Sequence, residues 1–295
     1  MNKNNILVME ERSGDMNILY CGDGNIKDGL CVSVLSLLKN VKEPLNIYII
    51  TMSLGERCAI TLEFAEFLEN RLKKENSRNK VTLIDITDLF CKNPPAANIE
   101  TRFTPFCMLR LYADLIPELP DRILYLDYDV MCRKDFSEMY FMDMSQLELA
   151  GVLDRYGKWF FHRNIFKFDY MNSGVLLMNL EKIRETGLFS KCRDRCADKR
   201  MFMPDQSAIN KLSDYKKLLP RKYNEQKTAD NETVFHHFTT RFRFFPFIHT
   251  VTVKPWQREK LHSVRGVYEY DNILDEYENI KGSIKNEYNS DFFYN

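Results

Sequence analysis

The chain has no CxxC pair, no apolar run long enough to cross a bilayer and no excess of either charge. Each absence removes a class of protein. Without CxxC pairs a zinc ribbon is disfavoured. Without an apolar stretch of about 20 residues there is no membrane-spanning helix. Lysine plus arginine and aspartate plus glutamate each number 42. No bulk field therefore draws the protein to nucleic acid, and no nucleic-acid partner is expected. The opening MNKNNILVMEERSGD lacks the basic-then-apolar layout of a secretion signal. Internal repeats, low-complexity tracts and a dividing linker are also missing.

What is present is 295 residues that are 44% hydrophobic, enough for one large α/β domain with a tail. Several of the eight cysteines sit inside apolar runs, where cysteine acts as a small hydrophobe. That pattern fits a reducing cytoplasm. Cys192 and Cys196 stand four apart on an expected helix, and a metal or redox role for them is a minor reading.

Apolar runs at 16–21, 45–51 and 80–87 alternate with helical patterns at 29–40 and 56–76. This alternation predicts parallel strands with helices on both faces. Thr104 and Pro105 mark the start of a helix reaching about Leu119. Further strands are expected at 122–131, 147–154, 174–180 and 233–239, with helices at 181–200, from Asp205, and in the segment holding Ile273, Leu274 and Tyr277.

Within RILYLDYDVM, an apolar strand ends in two carboxylates, Asp127 and Asp129. Paired anions resist burial unless something positive joins them. Residues two apart on a strand share a face, so both acids are expected to aim at one divalent cation, magnesium or manganese. A solvated strand end is the plain alternative. The strand-DxDxV pattern also resembles the opening motif of haloacid-dehalogenase-type phosphatases, although more than a hundred residues of α/β pattern precede it here.

Five stretches in order, ILYCGDGNIKDGLCVSVLSLLKN, MLRLYADLIPELPDRILYLDYDV, YMNSGVLLMNLEKIRETGLF, PDQSAIN and KPW, resemble glycosyltransferase family 8 over about residues 16–256. That family includes bacterial lipopolysaccharide galactosyl- and glucosyltransferases and glycogenin. The resemblance implies a GT-A fold: a mixed, mainly parallel sheet flanked by helices. It also implies retaining transfer of glucose or galactose from a UDP-sugar to a glycan or glycolipid acceptor, with a divalent metal, commonly Mn2+. The expected layout is a polar extension at 1–15, the catalytic domain at 16–256 and a helical tail at 257–295.

By this resemblance Asp127 and Asp129 hold the metal and Tyr128 lies along the nucleotide. The third ligand is either His237, in HHFTT, or His249, five residues before Lys254; His236 alternates to the other face of its strand. Lys254 in KPW meets the diphosphate, where a lysine supplies a point charge. Asp23 and Asn25 read base and ribose, although Asp-Gly-Asn is also good turn sequence. Ile26 stands where many relatives carry tyrosine. Arg110 reaches the donor, or else pairs with Asp114 one turn on. Asp154 and Asn172 contact the hexose, with Gly174 allowing close approach. Asp205 and Gln206 also match positions that contact the hexose, with Gln206 where a covalent nucleophile would stand and Asp205 beside it as a nucleophile or a grip on sugar hydroxyls, although Asp205 could simply cap a helix. The amide at Gln206 favours front-face substitution over a covalent adduct. A non-catalytic nucleotide-sugar binder on the same fold is the remaining alternative.

Two basic, aromatic-rich stretches, 154–169 and 241–249, are candidates for an acceptor cleft, for packing on the core or for peripheral contact with the inner face of a cytoplasmic membrane.

Overall fold

The computed structural model describes residues 14–100, 105–155, 169–243 and 249–286, with the side chains of 241–249 and 283–286 left aside. Thr104, most of 154–169 and the side chains of 241–249, including His249, therefore lie outside the described residues.

Eleven strands are described: β1 (Met16–Cys21), β2 (Leu45–Thr51), β3 (Lys80–Asp85), β4 (Arg122–Leu126), β5 (Val130–Cys132), β6 (Leu149–Leu153), β7 (Met171–Asn179), β8 (Lys216–Leu218), β9 (Phe235–His237), β10 (Arg241–Arg243) and β11 (His249–Val251). Seven form one sheet in the order β3-β2-β1-β4-β7-β6-β8. The first four are mutually parallel, while β7 runs against β4 and β6 against β7. Two small antiparallel pairs, β5-β9 and β10-β11, complete the strands.

The central strands carry apolar residues on both faces because both sheet faces are covered. Ile18 and Tyr20, Leu124 and Leu126, and Val175 and Leu177 pack into one layer. Leu19 and Cys21, Ile123 and Tyr125, and Leu176 and Met178 pack into the other. Cys192 and Cys196 are buried in that second layer, as small hydrophobes.

Strand order positions the site. The chain leaves β1 toward β2 and β3, then crosses back to lay β4 on the other side of β1. A crevice opens beyond the carboxyl ends of strands where the order reverses in this way. Asp23 follows β1 and Asp127 follows β4, so they flank it. Because β7 is antiparallel to β4, its first residues arrive at the same edge: Leu126 pairs with Val175, and Asp127 N donates to Gly174 O at 2.8 Å.

Several expected boundaries move. The helix expected from residue 56 begins at Leu62, because Thr61 caps it through the Phe64 N–H. The helix expected over 181–200 is two, Leu180–Thr186 and Leu188–Asp198, broken at Gly187 with φ 66°. Pro105–Leu115 is a 3-10 helix that ends before Leu119. Asp205 does not cap: in the helix Pro204–Leu212, Met203 is the cap residue, Pro204 opens the helix and Asp205 follows in the first turn. The C-terminal helix Asp271–Asn286 packs on the helix Lys27–Asn40 and sends Ile273, Leu274 and Tyr277 into the same core as β1.

Candidate active site

Asp127 and Asp129 do not sit on a strand with a shared face. β4 ends at Leu126, and residues 127–130 form a turn closed by Val130 N donating to Asp127 O at 3.1 Å. The turn, rather than strand alternation, folds both carboxylates toward one point. β5 then starts, and its antiparallel partner β9 sets Val130 opposite His237. This short ladder brings the imidazole over the two acids. His237 Nε2 stands 3.2 Å from Asp129 Oδ1 and 3.5 Å from Asp127 Oδ2. The neighbouring His236 turns away, with Nδ1 2.9 Å from Tyr270 Oη.

These three donors fit a divalent cation. Ligand atoms of Asp127, Asp129 and His237 all lie within 4.8 Å of one another. Donors at about 2.1 Å from one octahedral ion stand roughly 3 Å apart, close to the distances found here. Two carboxylates with one imidazole make an oxygen-rich mixed donor set that several divalent metals accept.

Positive charge surrounds the acids. The Lys254 ammonium hydrogen-bonds Asp129 Oδ2. Burial by itself would raise the Asp129 carboxyl, but Lys254 and His237 hold it well below the usual carboxylate range. Burial likewise opposes charge on Lys254, yet Asp129 leaves its ammonium harder to deprotonate than usual. Arg110 is buried beside them. Its Nη2 lies 3.1 Å from Asp127 Oδ1 and its Nε 3.3 Å from Asp205 Oδ2, and it stacks over the Tyr125 ring at 3.8 Å. The alternative Asp114 pair is not formed, because Asp114 is held by Arg193 at 3.2 Å. Tyr125 Oη donates to Asp127 Oδ1 at 2.6 Å.

Deeper in the crevice, Asp154, Asn172, Ser173, Asp205 and Gln206 are all buried. Asn172 Nδ2 donates to Asp154 Oδ2 at 2.9 Å, and Gln206 Nε2 reaches the same oxygen at 3.3 Å. Gln206 Oε1 accepts from Ser173 N at 2.9 Å, and Ser173 Oγ donates to Asp205 Oδ2 at 3.2 Å.

On the β1 side, Asp23 is buried and accepts from Asn25 N at 3.1 Å and Asn25 Nδ2 at 2.9 Å. Arg57 Nη1 adds a contact at 3.3 Å. Tyr128 and Trp256 pack with ring centroids 5.8 Å apart over Gly29, where a Cβ would stand 2.6 Å from both rings. Burial pushes the Tyr128 phenol up to about 12.

The structure thus gathers Asp127, Asp129, His237, Arg110, Lys254, Asp154, Asn172, Asp205 and Gln206 in one connected cluster, with Asp23, Asn25 and Tyr128 at its β1 side. Sequence reasoning missed Tyr125, Arg57 and Asn224. Tyr125 looked like core, and nothing in KYNEQ marks Asn224.

Residues 17–260 match the family model for Glycosyl transferase family 8. The chain is 28% identical over 269 residues to lipopolysaccharide 1,2-glucosyltransferase of Escherichia coli, covering 84% of this chain and 75% of that one. It is 26% identical over 247 residues to lipopolysaccharide 1,3-galactosyltransferase of Salmonella typhimurium, covering 75% and 70%. The fold matches crystal structures of LgtC, one of an active-site mutant with TM-score 0.64 at 16% identity, covering 92% of this chain and 96% of that one. Another, at TM-score 0.60, is of the galactosyltransferase LgtC in complex with donor and acceptor sugar analogs. The architecture is GT-A, and the family match sets aside the dehalogenase-type reading of the DxD motif. With its motifs, its crevice and its matched span in agreement, the chain belongs to glycosyl transferase family 8.

Proposed function

We propose that the protein is a retaining, metal-dependent hexosyltransferase that moves glucose or galactose from a UDP-sugar to a lipopolysaccharide-type glycan or glycolipid. The names of the E. coli and Salmonella relatives support that acceptor class. The observation that carries the reading is the convergence of Asp127, Asp129 and His237 at the β4 end, beside Lys254 and Arg110. A sugar-binding module has little use for such a charge arrangement, whereas a departing diphosphate needs it.

In this reading Asp127, Asp129 and His237 hold Mn2+ or Mg2+. Bound there, the ion supplies Lewis-acid stabilisation of the leaving diphosphate. Lys254 exchanges its Asp129 contact for a phosphate oxygen. Asp23 and Asn25 read base and ribose, and Tyr128 lines the nucleotide path. Asp154, Asn172 and Gln206 orient the hexose hydroxyls, and Arg110 keeps Asp205 in place. Asp205 Oδ2 is shared between Arg110 Nε and Ser173 Oγ, which supports a holding role for Asp205 over a covalent one. We therefore favour front-face substitution, with the departing phosphate taking the acceptor hydroxyl's proton.

Residues 16–256 form the catalytic unit in this reading, between an extension at 1–15 and the C-terminal segment 257–295. Among the described residues no helix is long and apolar enough to cross a membrane. We place the enzyme in the cytoplasm, at the inner face of the membrane where glycolipid acceptors are built. The test is UDP release from UDP-glucose and UDP-galactose with Mn2+. Activity abolished by chelator supports the reading, and no release from any nucleotide sugar leaves a non-catalytic binder instead.

A further inference from the structure

Asn224 is fully buried directly behind the proposed cation ligand and belongs to none of the motifs. It follows the 3-10 turn Arg221–Tyr223, where its N–H bonds Arg221 O at 3.0 Å. Its neighbour Glu225 is tied to β9 through Phe235 O and the His237 N–H. The backbone thus holds the Asn224 side chain between His237 and Asn172. His237 Nδ1 lies 3.2 Å from Asn224 Oδ1, and Asn224 Nδ2 lies 2.9 Å from Asn172 Oδ1.

One backbone group orders this chain of contacts. The Gly174 N–H can only donate, and it meets Asn172 at 3.0 Å, so that Asn172 atom is the oxygen. The Asn224 atom facing the same oxygen must then be its NH2. Its other end is therefore the carbonyl, and His237 Nδ1 facing that carbonyl must carry a hydrogen. The Nε2 lone pair is left for a cation on the Asp127–Asp129 side. The other Asn172 end, Nδ2, reaches Asp154.

We infer that Asn224 is a positioning residue that sets the ligating tautomer of His237 and ties it to Asn172, coupling the cation site to the hexose-reading cluster. The inference rests on the proposed cation and hexose roles of that cluster. An acceptor behind a ligating imidazole fixes ring orientation and raises its basicity, and losing one weakens metal binding 10–100-fold in typical sites.

Two substitutions separate this role from a merely structural one. Asn224→Leu removes both hydrogen bonds at similar volume. Asn224→Asp keeps an acceptor for His237 Nδ1 but sets an oxygen against Asn172 Oδ1. Calorimetric titration with Mn2+, without nucleotide, should show roughly 10–100-fold weaker binding for the leucine variant. The aspartate variant should bind Mn2+ within about threefold of wild type. Its KM for UDP-hexose should nevertheless rise at least tenfold, with UDP binding unchanged. Should the leucine variant fail to fold, that split in the aspartate variant carries the test alone. Mn2+ binding by Asn224→Leu equal to wild type, or equal losses of Mn2+, UDP and UDP-hexose binding in Asn224→Asp, would overturn the inference. Wild-type protein that takes up no Mn2+ would overturn the cation reading beneath it, and the inference with it.

Discussion

Gly174 lies against His237 so closely that a β-carbon there would collide with the imidazole and stand 2.6 Å from Asp127 Oδ2. β7 therefore needs glycine at the one position where it passes behind two of the proposed ligands. Gly174→Ala should cost about 1–3 kcal/mol of stability by overpacking. It should also lower UDP-hexose turnover at least a hundredfold while UDP binding changes less. Denaturant melts and steady-state kinetics check this, and an active alanine variant would mean that the ladder relaxes.

Asp129 is the more deeply held of the two acids, and Asp127 the more open. Replacing either by Asn should abolish turnover, but Asp129→Asn should also destabilise the fold by roughly 3 kcal/mol, because Lys254 loses its partner. Asp127→Asn should cost less. The sign with pH follows from linkage. The folded carboxyl of Asp129 is depressed, so its stabilisation is fully present above about pH 4 and drains away as pH falls through the folded value. Asp129→Asn should flatten that acid limb in pH-dependent melts.

Arg110 joins Asp127, Asp205, the Ser173 carbonyl and the Cys107 carbonyl, with its guanidinium over the Tyr125 ring. A lysine cannot reproduce that fork. Arg110→Lys should therefore lower kcat at least tenfold with little change in fold, as read by kinetics beside circular dichroism. Wild-type-like kcat in the lysine variant would show that charge alone suffices there.

Cys58 and Cys91 are exposed, whereas Cys21, Cys31, Cys132, Cys192 and Cys196 are buried. Burial pushes the thiols of Cys21, Cys31 and Cys132 far above the ordinary range. A thiol reagent should modify Cys58 and Cys91 quickly in the native protein and the five buried thiols only after denaturation. Quick modification of Cys192 or Cys196 would place that pair outside the core.

Tyr277 is buried among helix Lys27–Asn40 and the β1 layer. Tyr277→Ala should destabilise the protein by about 3 kcal/mol, and deleting the chain from Asp271 should leave it unable to fold. A soluble, cooperatively melting truncation would show that the C-terminal helix is dispensable.

Much of the site is legible in the residue order alone, and each failure has a local cause. Two acids ending an apolar run mark a strand end, yet the turn geometry that aims them depends on β5 pairing with β9. Neither Arg110 partner can be read from helix spacing, because Asp127 and Asp205 come from other elements while Asp114 is taken by Arg193. Asp205 looks like a cap beside Pro204, but proline itself opens the helix and leaves Asp205 one position inside. Between His237 and His249, spacing to KPW could not choose. The register Val130–His237 gives His237 a definite place beside both acids, while the His249 side chain lies outside the described residues.

By itself the sequence determined the alternation of strands and helices, the two-sided burial of the central strands and the acids and lysine that the DxD and KPW stretches carry. These are properties of neighbours along the chain: periodicity, propensity and the residue types a turn accepts. Tertiary structure alone decided that His237 and Lys254 face the acids, which acids Arg110 joins and that Asn224 stands behind the site. Those contacts join residues 13 to 125 positions apart, so strand order and ladder register create them and no local pattern records them.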